Sequence, residues 1–447
     1  MPANHNDYYQ PARAWFITVL LALFMLINFI DKVVIGLVAV PMMAELNLSP
    51  TEFGWIAGSF FWLFSASGVI GGFIANRVSA KWMLLVMGAT WSVAQLPIIL
   101  SSSIAMLVLS RVLLGIGEGP AAPVAYHACY KWFPDSKRAL PVSVVNQGAA
   151  VGVLMAGVLI PLITVHWGWR ASFLVMAIAG GVWVMVWLVF GAEGRVVDDA
   201  STAGGATTTA GAARRLPYRM LLGDPTVIGV LAMNFMAYWG LALTLTWFPA
   251  YLQKGLGFDG LTAGRLFAML TLVNMVCSLG LSWWSQRLMA RGVTARKGRA
   301  VLSGVALIVG GLMIVAVVLV PMPVMVKVIL LSAGGGITGV MFSLAPAMVG
   351  SVTPDAQRGA MLAILNSIAS IAGVLSPVVT GSLIQSTSGD IASGYEHGFA
   401  LSGVLLAVGG LIGLLWVHPQ KSMVRLARGL PLTPALSQEG RGSKAGG

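Results

Sequence analysis

Charge is what this sequence has least of. Only 9% of its 447 residues are Asp, Glu, Lys or Arg, where a soluble domain carries about 25%. With 57% hydrophobic residues, that scarcity excludes an ordinary soluble globular chain and points to a polytopic membrane protein. Cysteine is scarce too. Cys129 and Cys277 lie in or beside apolar runs, which excludes a disulfide framework and leaves two small packing residues. The five histidines are scattered and form no HExxH-like cluster, so no metal site is expected. The glycine-rich AGGGITGV at 333–340 lacks the GK[ST] of a phosphate loop and sits in an apolar run, where close helix packing explains it better. No nucleophile–base pair and no haem or nucleotide motif is visible, so no reaction and no cofactor are expected. No small-residue cleavage site follows the first apolar run, which is too long for a cleaved signal and is expected to be retained.

What the chain has instead is apolar runs. Broken by Gly, Pro or charge, they predict twelve spans: 14–40, 53–75, 83–103, 105–129, 141–164, 171–192, 226–250, 261–284, 300–320, 324–349, 361–386 and 397–418. Each has about the length that a bilayer core requires. Together they leave no room for a separate soluble catalytic domain. The excess of 27 Lys and Arg over 15 Asp and Glu, net +12, invites a nucleic-acid partner, but its placement argues against one. With both termini on one side, 21 of the 27 basic residues fall on that side and about three (Arg170, Lys254 and Lys327) on the other. By the positive-inside rule both termini are cytoplasmic, and no nucleic acid is expected.

Residues 193–220 contain DDASTAGGATTTAGAARR, a flexible linker by composition. It divides a six-helix bundle at 1–192 from a second at 226–418, with the cytoplasmic linker at 193–225. The polar tail at 419–447 is expected to be disordered. The halves look related. PDSKRALPVSVVN at 134–146 and PDAQRGAMLAILN at 354–366 share Pro134/Pro354, Asp135/Asp355, Arg138/Arg358 and Asn146/Asn366 at one constant offset of 220. A fainter echo pairs Asn76-Arg77 after span 2 with Gln286-Arg287 after span 8. Two pseudo-symmetric six-helix halves around a central cavity make a transporter architecture.

These residues carry a resemblance. GGFIANRVSAK at 71–81 resembles the span 2–3 loop motif of the major facilitator superfamily, G-x-x-x-D-R-x-G-R/K-R/K. Asn76 stands for the usual Asp and Ser79 for the usual Gly. The resemblance implies a conformational latch at Gly72, Asn76, Arg77 and Lys81. GWRASF at 168–173 is similar to the superfamily's start of span 6. More narrowly, INFIDK at 27–32, RVLLGIGEGP at 111–120 and NFMAYWGLALTLTWFPAYL at 234–252 resemble the anion:cation symporter family, proton-coupled carriers of hexuronates, galactonate and other organic acids. The resemblance covers about 14–418. It departs at Phe29 and Phe64, where Tyr is usual, and at Lys32, where Arg is usual. Two hydroxyls and one guanidinium fork are lost, and Lys offers a carboxylate only a point charge. A less hydroxylated substrate than galactonate is therefore expected, an aromatic or short aliphatic carboxylate.

Four charges lie inside predicted spans: Asp31, Lys32, Arg111 and Glu118. An uncompensated charge at mid-membrane costs at least ~2.5–3.5 kcal/mol, so two acids and two bases suggest a neutral cluster. Helix rise sets Asp31 roughly 13 Å and Arg111 roughly 10 Å deep, which predicts an Asp31–Arg111 pair. Arg111 and Glu118, two turns apart, share a face of span 4, among Gly115, Gly117, Gly119 and Pro120, residues that permit close approach and distortion. Lys32 is expected to attract the substrate carboxylate. Asp31 exchanges protons while competing for Arg111, and Glu118 is the second proton site; the resemblance assigns proton coupling to the same two positions. Asn28, Phe29, Phe64, Tyr238, Trp247 and Asn366 complete the expected substrate-binding set, and Asn146 mirrors Asn366. The alternative is a static salt-bridge network tying span 1 to span 4. The expected protein is a monomeric, proton-coupled importer of an organic anion in a bacterial inner membrane, working by alternating access in the lipid bilayer. Its rivals are an exporter of drugs or metabolites with the same fold, a nontransporting membrane receptor and, last, a membrane enzyme.

Overall fold

The computed structural model describes residues 10–75, 77–134, 137–194, 216–387 and 390–428. Among them, twelve helices are long and apolar enough to cross a membrane: Pro11–Leu37, Pro50–Ala75, Ala80–Leu100, Ile104–Tyr130, Ala139–Trp167, Trp169–Phe190, Pro225–Gly255, Gly260–Ala290, Arg296–Leu319, Val324–Val352, Gln357–Ser386 and Ile391–Trp416. They are spans 1 to 12 below. The chain is an all-α, multi-pass membrane protein, as its apolar runs predict. An even number of crossings returns both termini to one end of the bundle, here called the terminal end.

Helix starts follow from local chemistry. Span 2 opens on a capping box in which the Ser49 hydroxyl accepts from the Glu52 amide at 3.2 Å and Glu52 accepts from the Ser49 amide at 2.8 Å, with Pro50 in the first turn. Asp224 caps span 7 ahead of Pro225, and Asp259 caps span 8. These side chains satisfy amides that the helix itself leaves bare. Interruptions are equally local. Span 2 changes helical form at Ser59–Phe61, span 3 breaks at Gln95 before Pro97, and span 4 breaks at Gly119-Pro120.

Packing repeats with a period of six spans. Span 1 packs along span 5 as span 7 packs along span 11. Spans 3 and 6 pair as 9 and 12 do, and 2 and 4 as 8 and 10 do. One hydrogen bond repeats at the offset read from the sequence: Arg138 Nε donates to the Tyr130 carbonyl at 3.3 Å, and Arg358 Nε to the Gly350 carbonyl at 3.3 Å. Residues 130 and 350 are again 220 apart. Across the halves, span 1 meets 7, 2 meets 11 and 5 meets 8.

Two sequence expectations change at the terminal end. The linker is not flexible throughout 193–225. Leu216 exchanges two backbone hydrogen bonds of 2.7 Å with the Gln357 amide side chain, and Tyr218–Leu222 is a short helix. Residues 195–215 lie outside the described residues. The tail does not begin as disorder at 419. Pro419–Arg428 form a helix whose Ser422 hydroxyl donates to Asp224 at 2.6 Å and bonds Thr226 at 2.8 Å. A buried serine that completes a helix cap 198 residues earlier holds this segment down. Residues 429–447 lie outside the described residues.

Candidate functional site

A cavity of about 1510 Å³ lies between the halves. Its wall reaches Gly72, Tyr218 and Gly359 at the terminal end. At the opposite end it is closed by backbone against backbone. A Cβ added at Gly36 of span 1 would run into the Leu245 carbonyl of span 7, and one at Gly54 of span 2 into the Pro377 carbonyl of span 11.

Of the predicted substrate residues, Asn28, Phe29, Lys32, Phe64, Arg111, Tyr238 and Asn366 all line this cavity, as do Glu118 and Asn146. Trp247 does not. It is fully buried, donates its indole N–H to the Pro377 carbonyl at 3.0 Å and packs on Phe53 and Tyr395. It belongs to the closed end. Tyr251, in the same motif, donates to Glu396 at 2.8 Å, and Lys327 pairs with that carboxylate at 2.5 Å. Of the aromatics in that motif, Tyr238 is one that faces the cavity, against Phe61 and Phe342.

Asp31 and Lys32 are neighbours in sequence but not in environment, because successive helical residues point about 100° apart. Lys32 shares a face with Asn28, one turn back, and looks into the cavity. Its ammonium donates to Asn28 Oδ1 at 3.0 Å, lies 3.3 Å from Glu118 Oε2, and sits over the rings of Phe29 at 4.4 Å and Phe64 at 5.2 Å. Phe29 and Phe64 thus give Lys32 two aromatic faces, whose negative quadrupoles favour a cation.

Asp31 is 1% exposed and turned away from the cavity. Its carboxylate accepts from Gln95 Nε2 at 2.9 Å. The predicted Asp31–Arg111 ion pair is not formed. Arg111 reaches the Asp31 backbone carbonyl at 3.5 Å and lies over the Phe60 ring at 5.2 Å. The salt bridge between spans 1 and 4 therefore joins Lys32 to Glu118. Span 4 also lies close against span 2. A Cβ at Gly115 would overlap the Phe60 carbonyl and one at Gly119 the Phe64 carbonyl.

Sequence reasoning missed Gln95, Phe60 and Phe61. Gln95 had a readable signal: a polar amide inside an apolar run, two residues before a proline. The cavity is also electrically lopsided. Among the described residues, its charged wall residues, Lys32, Arg111 and Glu118, come from the first half, while the second half contributes neutral polar groups such as Tyr238, Asn274 and Asn366.

Of the latch, Gly72 lines the cavity and Arg77 is exposed; Asn76 lies outside the described residues. The loop is gripped by a residue not predicted. Glu193, just past span 6, accepts from the Ala80 amide at 3.3 Å and the Lys81 amide at 3.5 Å, and pairs with Lys131. Burial pushes its carboxyl up, but the hydrogen bond and charge of Lys131 and the two amides outweigh this and hold it below the usual glutamate range. Three loops of the first half meet on one carboxylate.

Known proteins are similar to this chain in sequence and in fold. The Major Facilitator Superfamily model matches residues 20–340 and 299–441. A probable sulfoacetate transporter of Cupriavidus necator is 30% identical over 88% of this chain and 91% of its own. A hexuronate transporter of Bacillus subtilis is 27% identical (90% and 94%). A D-galactonate transporter of Escherichia coli is 26% identical (91% and 95%). Among solved structures, a bacterial homologue of the human lysosomal transporter Spinster, inward-facing and unoccupied, superposes with a TM-score of 0.78 at 18% identity, over 95% of this chain and all of that one. A D-xylose–proton symporter gives 0.72 at 18% identity, over 91% and 99%. Twelve spans in two matched halves, a cavity between them and a family match across most of its length establish that the chain belongs to the Major Facilitator Superfamily.

Proposed function

We propose that the protein imports an organic anion together with protons, by alternating access, across a bacterial inner membrane. The observation that carries this reading is the Lys32–Glu118 pair on the cavity wall. An anion that takes the Lys32 ammonium must displace Glu118. A carboxylate that loses its cation inside a helix bundle carries an uncompensated charge, and breaking such a pair costs about 3–5 kcal/mol. A proton on Glu118 removes that cost. Anion and proton then cross together, where a bare anion does not. Asp31, held by Gln95 behind the wall, is the second proton site.

The relatives described as sulfoacetate, hexuronate and D-galactonate transporters support an organic anion as cargo. Phe29 and Phe64 around the ammonium, with Phe61 beside Phe64, favour an aromatic or short aliphatic carboxylate over a sugar acid. The excess of Lys and Arg at the terminal end supports cytoplasmic termini, so the cavity opens toward the cytoplasm, the releasing side. The test is proton influx into proteoliposomes of purified protein, with sugar acids, dicarboxylates and aromatic acids added one at a time. Influx triggered by the aromatic or short-chain acids is expected. Preference for a sugar acid would refute the substrate class, and silence for the whole panel with folded protein would refute symport.

Gln95 supplies a second test. Its Nε2 donates to the Asp31 carboxyl and its Oε1 has no hydrogen-bond partner, so the amide is able to donate to an ionised Asp31 and to accept from a protonated one. Gln95→Leu removes a bond to a charged group worth about 1.5–3 kcal/mol. Proton-driven accumulation should fall about tenfold or more, with anion binding at the cavity unchanged. Unchanged accumulation across pH would remove Gln95 from the mechanism.

A further inference from the structure

A second cleft, of about 400 Å³, lies at the terminal end where span 12 stops and span 7 starts. Its two walls differ in kind. One is apolar and faces outward from the bundle: Ile228 of span 7 with Leu415 and Trp416 of span 12, which are 38%, 69% and 50% exposed. The other is formed by His418 and by Lys421 and Arg425 of the helix Pro419–Arg428 that follows it. Lys421 and Arg425 are one turn apart and share a face.

One oxygen of Asp224, at the floor of the cleft, is already engaged. Asp224 accepts from the Ser422 hydroxyl at 2.6 Å and the Thr226 amide at 2.9 Å. Arg425 lies 3.6 Å from its other oxygen, beyond a good hydrogen bond, so the guanidinium keeps donors to spend outward. Lys421 is exposed. Among the described residues, the acid at the site, Asp224, is thus buried and held by Ser422 and Thr226, while two cations face out beside a membrane-facing apolar wall. Val424 and Met423, 56% and 41% exposed on the same helix, add apolar surface where the bundle meets the bilayer boundary, and a tryptophan at that level is a common interfacial anchor.

We propose that this cleft binds an anionic phospholipid, with Lys421 and Arg425 on its phosphate and its acyl chain along Ile228, Leu415 and Trp416. A soluble phosphate would leave the apolar wall uncovered. A zwitterionic headgroup would return a positive charge to a site that already has two. A bound lipid bridges spans 7 and 12 and holds the terminal helix on the Asp224 cap, and by mass action it stabilises the folded carrier.

The experiment uses the full-length purified protein in neutral detergent. Thermal unfolding and native mass spectrometry are read with phosphatidylglycerol, with phosphatidylcholine of the same chains, and with inorganic phosphate. Phosphatidylglycerol should raise Tm and persist as a bound adduct; the other two should do neither. Lys421→Gln should weaken the adduct about fivefold, while Lys254→Gln, exposed at the opposite end, should leave it intact. Arg425→Gln also touches the Asp224 cap, so the reading rests on Lys421. Equal effects of both lipids, an equal effect of phosphate alone, or an unchanged adduct in Lys421→Gln would each overturn the proposal.

Discussion

Glu118→Gln is expected to uncouple the carrier without emptying its cavity. The substitution keeps the shape of the side chain but removes the charge that lies 3.3 Å from the Lys32 ammonium. In the proposed mechanism an incoming carboxylate competes with Glu118 for that ammonium. In the variant nothing competes, so anion binding should hold or tighten. What is lost is the group proposed to take a proton when the anion arrives. Proton influx driven by substrate should therefore fall by at least about tenfold, an effect well within the several kcal/mol attached to a buried ion pair. Exchange of labelled for unlabelled anion should continue, because it needs no net proton. The pH dependence follows with its sign. Uptake should rise as external pH falls in the parent, and that slope should flatten in the variant. Lys32→Gln should do the reverse in kind, losing binding and exchange together. If Glu118→Gln still drives protons as the parent does, Glu118 is a structural partner of Lys32 and the static network is the better account.

That test also marks where sequence and structure part. Twelve spans were legible because each is a helix of 21–31 residues with a long apolar stretch, and a bilayer leaves few other readings. The relation of the halves was legible in one 13-residue echo, and Arg138 and Arg358 repeat their hydrogen bond at the same offset. Partner choice among the buried charges was not legible. Depth arithmetic from Cα positions favoured Asp31 with Arg111, yet helical side chains lean toward the helix N-terminus. Lys32 therefore leans back along span 1 to Asn28, which brings its ammonium to Glu118. Trp247 resembled a pocket residue because motif position says nothing of which face it occupies. The terminal helix was missed because Ser422 and Asp224, 198 residues apart in the chain, meet only in the folded second half.

The other large effect concerns the closed end. Gly36→Val places a branched side chain where a Cβ alone already meets the Leu245 carbonyl. Gly54→Val does the same against the Pro377 carbonyl. The obstacle is backbone in both cases, so no rotamer of a neighbour relieves it. Spans 1 and 7, or 2 and 11, must move apart. In a carrier with two conformations, that strain falls on the one described here and spares the other. Overpacking of this kind costs about 1–3 kcal/mol, which shifts a two-state equilibrium about 5- to 150-fold toward the form open at the opposite end. The reporter is Ala57, 4% exposed on the cavity wall just inside the seal. With Cys129 and Cys277 replaced, Ala57→Cys should resist an impermeant maleimide added from the outer face of oriented vesicles. Adding Gly36→Val should expose it to that reagent, while transport falls by a similar factor and Tm changes little. A protected cysteine with full transport would mean that the Gly36–Leu245 contact is not the seal. Labelling without loss of transport would mean that closing this end is not part of the cycle. The predicted pattern, exposure and loss together, ties a glycine with no side chain to the alternation that moves the anion.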